Sequence, residues 1–247
     1  MNSGENRAFT DALDRFYSKE DLKGAGAFLE NQYDICNHKG DEAGKLTVLN
    51  EMTGYYRQTG ESEKGLKAVY EAIDSVEKLG LSSEVDGATI LLNCATTMKT
   101  FGRAEQAVDY YEKAKKVLCG KLSPTHPLIA GLYNNMALTL QELGRKKEAE
   151  DLFLKAIDIT LADNANALET AISYVNLAQL RFEEDMLDAS VGLLMDKALD
   201  ILKNPAYYGY AKYAFTCRKC APAFGYMGYF AAEKYLGERA DEVYERA

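Results

Sequence analysis

Leu128-Ile-Ala-Gly-Leu-Tyr-Asn-Asn-Met-Ala-Leu-Thr-Leu-Gln-Glu-Leu-Gly144, continued by Arg145-Lys-Lys-Glu-Ala-Glu-Asp-Leu-Phe-Leu-Lys-Ala-Ile157, is the stretch whose reading decides the fold. Leu132, Met136, Leu140 and Leu143 recur at three-to-four spacing and form one apolar stripe on a helix. Gly144 follows, a residue with ready access to positive φ, and predicts the end of that helix. Ala149, Phe153, Ala156 and Ile157 make the stripe of a second helix. Small residues at Ala137, Ala149 and Ala156 allow the pair to approach closely, while Tyr133 and Phe153 fill the space between neighbouring units. Pro127 suits a first helical turn, where its missing N–H costs nothing, and Thr125 beside His126 is a candidate cap.

The same pattern returns along the chain. Ala72, Ala114, Ala156, Ala198 and Ala240 stand forty-two residues apart, a fixed period that marks stacked repeats. Gly60, Gly102 and Gly144 keep that step; Met186 interrupts it and Gly228 resumes it. Gly65, Ala107 and Ala149 form a small column, and Val69, Tyr111 and Phe153 a bulky one. A chain of 247 residues holds about six such units. The template predicts helix pairs near 5–18 and 20–37, 42–59 and 62–79, 84–101 and 104–119, 127–143 and 146–162, 167–184 and 187–203, and 206–225 and 228–246. In the fourth unit Tyr174, Asn176, Leu177 and Ala178 run one residue early, while Val191, Met195 and Ala198 stay in phase. One residue has been gained around Glu183–Asp188, so an altered turn is expected there.

These columns resemble the tetratricopeptide repeat family. The units read Leu49-Met52-Thr53-Tyr56-Gly60-Gly65-Val69-Ala72, then Leu91-Cys94-Ala95-Met98-Gly102-Ala107-Tyr111-Ala114, then Tyr133-Met136-Ala137-Leu140-Gly144-Ala149-Phe153-Ala156. The longer period, His126-Pro127 and Asn134-Asn135-Met136-Ala137 are similar to the kinesin light chain subclass. The resemblance covers roughly residues 42–246 and implies an all-α fold: a right-handed α-α superhelix, or solenoid, of about six antiparallel helical hairpins and roughly twelve helices. The whole chain, 1–247, is expected to form one solenoid domain. Within it, 1–40 would be a degenerate N-terminal hairpin with Gly24 and Gly26, 42–203 four repeats, and 206–247 an aromatic-rich capping hairpin ending in a polar helix.

Composition narrows the function classes. A net charge of −9 argues against nonspecific binding of nucleic acid or an anionic membrane, both of which need a basic footprint. No apolar run approaches transmembrane length, no signal-peptide core follows Met1, and five cysteines at no framework spacing fit a reducing compartment. The reading is of a cytoplasmic chain. No Ser–His–Asp set, phosphate-binding Gly loop or metalloprotease helix motif occurs, so no catalytic residue, cofactor or metal site is expected. Cys217-Arg-Lys-Cys220 spells a redox-like motif, but it falls mid-helix with Cys220 on the core column of Met52, Cys94 and Met136, which reads as packing.

What remains is a binding surface. In the resembled family the first helix of each pair lines the inner face of the superhelix and holds a peptide, and the position before the Leu column is often Asn. Here it is Glu51, Asn93, Asn135 and Asn176. Each Asn amide can pair with extended backbone, or it can tie adjacent helices together. Asn50, Arg57, Thr96, Lys99, Asn134, Leu138, Gln141, Gln179 and Phe182 are neighbouring groove candidates. Arg57 and Lys99 give half of the carboxylate clamp known in some family members, whereas Gln141 and Phe182 replace the rest, implying a mixed groove. The expected function is noncatalytic binding of a protein or peptide segment. In the last hairpin Tyr207, Tyr208, Tyr210, Tyr226 and Tyr229 sit among further aromatics, either a repacked terminal core or an interface for a homodimeric scaffold. A third reading is a peptide-responsive regulatory sensor. Pro222 is expected to kink the first helix of that hairpin or end it early.

Overall fold

The computed structural model describes residues 3–162, 164–208 and 211–244. Among these the ordered elements are twelve α-helices and two short 3-10 turns, with no strand. They group into two compact units, Met1–Lys121 and Leu122–Ala247. The first holds α1 (Ser3–Ser18), α2 (Leu22–Lys39), α3 (Glu42–Thr59), α4 (Ser62–Lys78), α5 (Val85–Thr100) and α6 (Ala104–Lys121). The second holds α7 (Pro127–Glu142), α8 (Lys146–Leu161), α9 (Ala167–Glu184), α10 (Ala189–Leu202), α11 (Ala211–Tyr226) and α12 (Phe230–Tyr244).

Consecutive helices pair as hairpins, α3 on α4 and α5 on α6 in the first unit, α7 on α8, α9 on α10 and α11 on α12 in the second. First helices also stack on first helices: α3 on α5 in one unit, α7 on α9 and α9 on α11 in the other. The alanine column explains the tightness of these pairs. Ala72, Ala114, Ala156 and Ala198 are wholly buried, and Ala240 nearly so. A larger side chain there would hold the paired helices apart. Leu132, Met136 and Leu140 are buried on α7 and Phe153 and Ile157 on α8, so the stripe read from the sequence is the core.

Glycine ends the first helix of several hairpins where the period places it. Gly60, Gly102, Gly144 and Gly228 have φ between 73° and 89°, the left-handed cap that an L side chain resists. The fourth unit lacks this glycine and solves its turn differently. α9 runs to Glu184, Asp185 is extended (φ −146°), and the Asp188 carboxylate caps α10 by accepting from Ser190 N at 2.8 Å.

Three local expectations are corrected. His126, and not Thr125, caps α7: its ring nitrogen accepts from Leu128 N at 3.2 Å, with Pro127 next in the first turn. Pro222 lies inside α11, which continues to Tyr226. Both Pro222 and Arg218, whose carbonyl loses its donor, are on the exposed side, where water can satisfy that carbonyl. Finally, α11 starts at Ala211 rather than near 206, because Asn204 instead caps a 3-10 turn, Pro205–Tyr207, by accepting from Ala206 N at 3.0 Å.

The first hairpin is better built than its poor match to the repeat suggests. Asp21 caps α2 by accepting from Gly24 N at 2.8 Å, and the Tyr55 ring lies where a side chain on Gly26 would stand.

Two measurements test these assignments. Gly144→Ala should lower stability by about 1 kcal/mol, whereas Gly131→Ala, inside α7 with open space around it, should raise it by roughly 0.5–1 kcal/mol. Opposite shifts of the urea midpoint would support the turn assignment; shifts of equal sign would refute it. Ala156→Leu should cost about 1–3 kcal/mol by overpacking, read in the same titration.

Candidate functional site

The first unit gathers its candidates on α3 and α5, which stack because Thr53 and Thr97 are small enough to let them touch. Thr97 is wholly buried and donates its hydroxyl to the Thr53 carbonyl at 3.3 Å. Beside that seam, Asn93 Nδ2 donates to Asn50 Oδ1 at 2.9 Å, and Asn50 Nδ2 donates to Glu51 Oε1 at 3.2 Å. The chain of amides therefore ends on a carboxylate. Glu51 is half-buried, and burial pushes its pKa up, with the Asp14 carboxylate adding to the rise and the Asn50 hydrogen bond opposing it. Tyr17 on α1 is raised by its own burial and by Glu51, which places the N-terminal hairpin against this surface.

Arg57 is one turn and a half further along α3. Its Nη1 reaches the Thr97 hydroxyl at 3.4 Å, a long contact, and among the described residues no carboxylate pairs with it. The guanidinium is half-buried, and burial pulls its pKa below the usual arginine range. Lys99 is half-buried on α5, and Thr96 accepts a hydrogen bond from the Tyr111 hydroxyl at 3.0 Å.

The second unit repeats the amide tie. Asn176 Nδ2 on α9 donates to Asn134 Oδ1 on α7 at 3.0 Å. Asn135 is half-buried and its side chain makes no hydrogen bond within the described residues. Toward the helix ends, Gln141 Nε2 and Gln179 Nε2 donate to the two oxygens of Glu183, at 2.8 and 2.9 Å. Gln141 Oε1 is left buried without a partner. Phe182 packs edge-on against Tyr226 of α11, with ring centroids 5.6 Å apart. Leu138 is half-buried beside these groups.

The Asn column thus does structural work at two positions, Asn93 and Asn176, each using one amide hydrogen to tie a first helix to the preceding one. Each tie leaves the second amide hydrogen and the carbonyl oxygen for other partners. Glu183 and the Thr53–Thr97 seam were not singled out from the sequence. The seam had a signal, since Thr97 and Thr139 are forty-two residues apart and both buried.

The aromatic hairpin divides into packed and exposed parts. Tyr213 and Phe224 are buried, and Tyr213 donates to the Leu202 carbonyl at 2.9 Å. Tyr208 and Tyr235 share a 2.5 Å hydroxyl contact, with the Arg239 guanidinium over both rings. Tyr207 and Tyr229 are half-buried, Tyr226 is exposed, and Tyr210 lies outside the described residues. Cys217 and Cys220 are buried, and burial raises both thiols, Cys220 to about 12, so neither is poised for thiolate chemistry. Among the described residues no three His, Cys, Asp or Glu side chains are grouped to hold a metal ion, and no helix is long and apolar enough to cross a membrane.

Comparison with known proteins adds the lineage of the fold. Residues 128–204 match the tetratricopeptide repeat family model. No curated protein sequence matches the chain. Among solved structures, nearly identical TPR-like repeats of the kinesin light chain type from Podosopora anserina are 16% identical, with a TM-score of 0.59 over 82% of this chain and 96% of that one. BtubC (BKLC) from P. vanneervenii is 17% identical, with a TM-score of 0.58 over 93% and 91%. A Rap protein complexed with competence and sporulation factor is 14% identical, with a TM-score of 0.60 over 100% and 76%. The chain is thus similar to the tetratricopeptide repeat family over residues 128–204, and over most of its length it shares the fold of kinesin-light-chain-type repeats.

Proposed function

We propose that this protein is a noncatalytic interaction module that holds a peptide or protein segment along the first helices of its repeats. Arg57 carries the proposal. A half-buried guanidinium without a carboxylate partner pays a desolvation cost that the fold does not offset, and a ligand carboxylate would complete it. The amides of Asn50 and Asn93 supply donors and acceptors for extended backbone in the same unit, and those of Asn134, Asn135 and Asn176 supply them separately within the second unit. A Rap protein of similar fold is seen complexed with competence and sporulation factor, which agrees with a ligand-holding role.

The test begins with peptides selected from a random library on the intact protein. Arg57→Gln should leave the thermal midpoint unchanged or higher, because an unpaired half-buried charge is removed, and should weaken selected acidic peptides about tenfold. Failure to enrich any peptide, or equal binding by the variant, would reject the reading.

The Asn residues separate by a second measurement. Asn93→Ala and Asn176→Ala each break a helix tie and should cost about 1 kcal/mol of stability, while Asn135→Ala should cost little and act on peptide affinity alone. Equal losses of stability at all three positions would show that the column serves folding only.

A further inference from the structure

The second unit carries an exposed apolar patch that the inner helix faces do not explain. Leu187 is 89% exposed and Met186 73%, side by side in the turn between α9 and α10. Phe230 is 69% exposed, Leu193 65% and Tyr226 60%. Two contacts make these residues neighbours. Tyr226 packs on Phe182 at the C-terminal end of α9, and the Tyr229 hydroxyl sits over Gly192, 3.6 Å from where a Cβ would stand, next to Leu193. The turns α9–α10 and α11–α12 therefore share one edge of the unit. An open cavity of about 540 Å³ continues from Phe230 between α10 and α12, walled by Leu199, Tyr229, Ala232 and Tyr235.

The α9–α10 turn holds its apolar tips out rigidly. Asp185 Oδ1 accepts from Leu187 N at 2.9 Å, and Asp188 N donates to the Asp185 carbonyl at 3.1 Å. A preordered turn loses little entropy when its tips are covered. Exposed large apolar side chains in a group mark an interaction surface, whereas scattered ones need no explanation.

The charge around the patch selects the occupant. Glu183 and Glu184 close α9, and Asp185 and Asp188 lie in the turn that follows. The basic residue of this segment, Arg181, is committed elsewhere, to Glu150 at 2.6 Å and the Ser190 hydroxyl at 2.8 Å. In a twofold dimer the patch would face its own copy and set these four acidic groups against their equivalents, a repulsive arrangement. Anionic lipid is disfavoured for the same reason.

We infer that the edge formed by Met186, Leu187, Leu193, Tyr226 and Phe230 is a docking surface for a helical segment of another protein that has an apolar face bordered by lysine or arginine. Apolar anchors cover the leucine and aromatic tips, and the basic border meets the acidic turn. The patch residues are other than Arg57 and Asn135, so the inference is tested apart from the peptide-holding reading above.

The test uses the full chain and a fluorescent helical peptide with leucines on one face and lysines on the other, alongside a leucine–glutamate counterpart. The lysine peptide should bind and the glutamate peptide should not. The double variant Met186→Ser/Leu187→Ser, and separately Glu184→Lys, should each weaken the lysine peptide about tenfold. Leu161→Ser, an exposed apolar site at the far end of the neighbouring hairpin, should leave it unchanged, with all variants equally helical by circular dichroism. No binding by the lysine peptide, or equal binding by the double variant, would overturn the inference. So would a dimer in sedimentation velocity that the double variant disperses, which would assign the patch to a second copy. Binding to phosphatidylcholine vesicles lost in that variant would assign it to a bilayer.

Discussion

Close approach of paired helices is the constraint on which the structure depends. It is set by a column of buried alanines, one on the second helix of each of five hairpins. A methyl group lets the two backbones come together, and bulky residues such as Tyr111 and Phe153, also buried, fill the core beside the alanines. Within each unit this alternation of small and large is what lets one hairpin stack on another.

Once first helices stack, the polar groups between them must be satisfied. The protein does this with short side chains: a threonine hydroxyl onto a carbonyl at the α3–α5 seam, and an asparagine amide onto an asparagine oxygen in both units. These ties hold the register of the helices while leaving part of each amide open. The residues proposed for binding therefore include ones that tie helices, with Asn135 as the untied member of the column. Arg57 differs because its partner is only a hydroxyl at long range. A charge left half-buried in this way makes sense where a complementary group arrives from outside.

The α9–α10 hairpin shows how one inserted residue alters a surface. Without a glycine to turn the chain in the left-handed region, α9 runs on and two aspartates build the turn. That construction leaves Met186 and Leu187 in solvent, as Phe230 also is. The departure from the repeat and the exposed patch have one cause.

Much of the fold was legible along the chain because a stacked repeat writes its packing periodically: buried alanines, turn glycines and the stripes of α7 and α8 all recur at fixed spacing. Helix boundaries agree within a few residues, except at α11, which starts later because Asn204 first caps a 3-10 turn. Pro222 does not end α11 early, because the carbonyl it leaves without a donor lies on the exposed side, and that is decided by packing. The sequence by itself thus determined the class of fold, the hairpins and the column of candidate amides. Only the tertiary structure decided which asparagines are already tied, that Glu183 is held by two glutamines, and that Arg57 lacks a carboxylate. Partnership between side chains forty or more residues apart depends on how hairpins are stacked, and a period along the chain does not encode it.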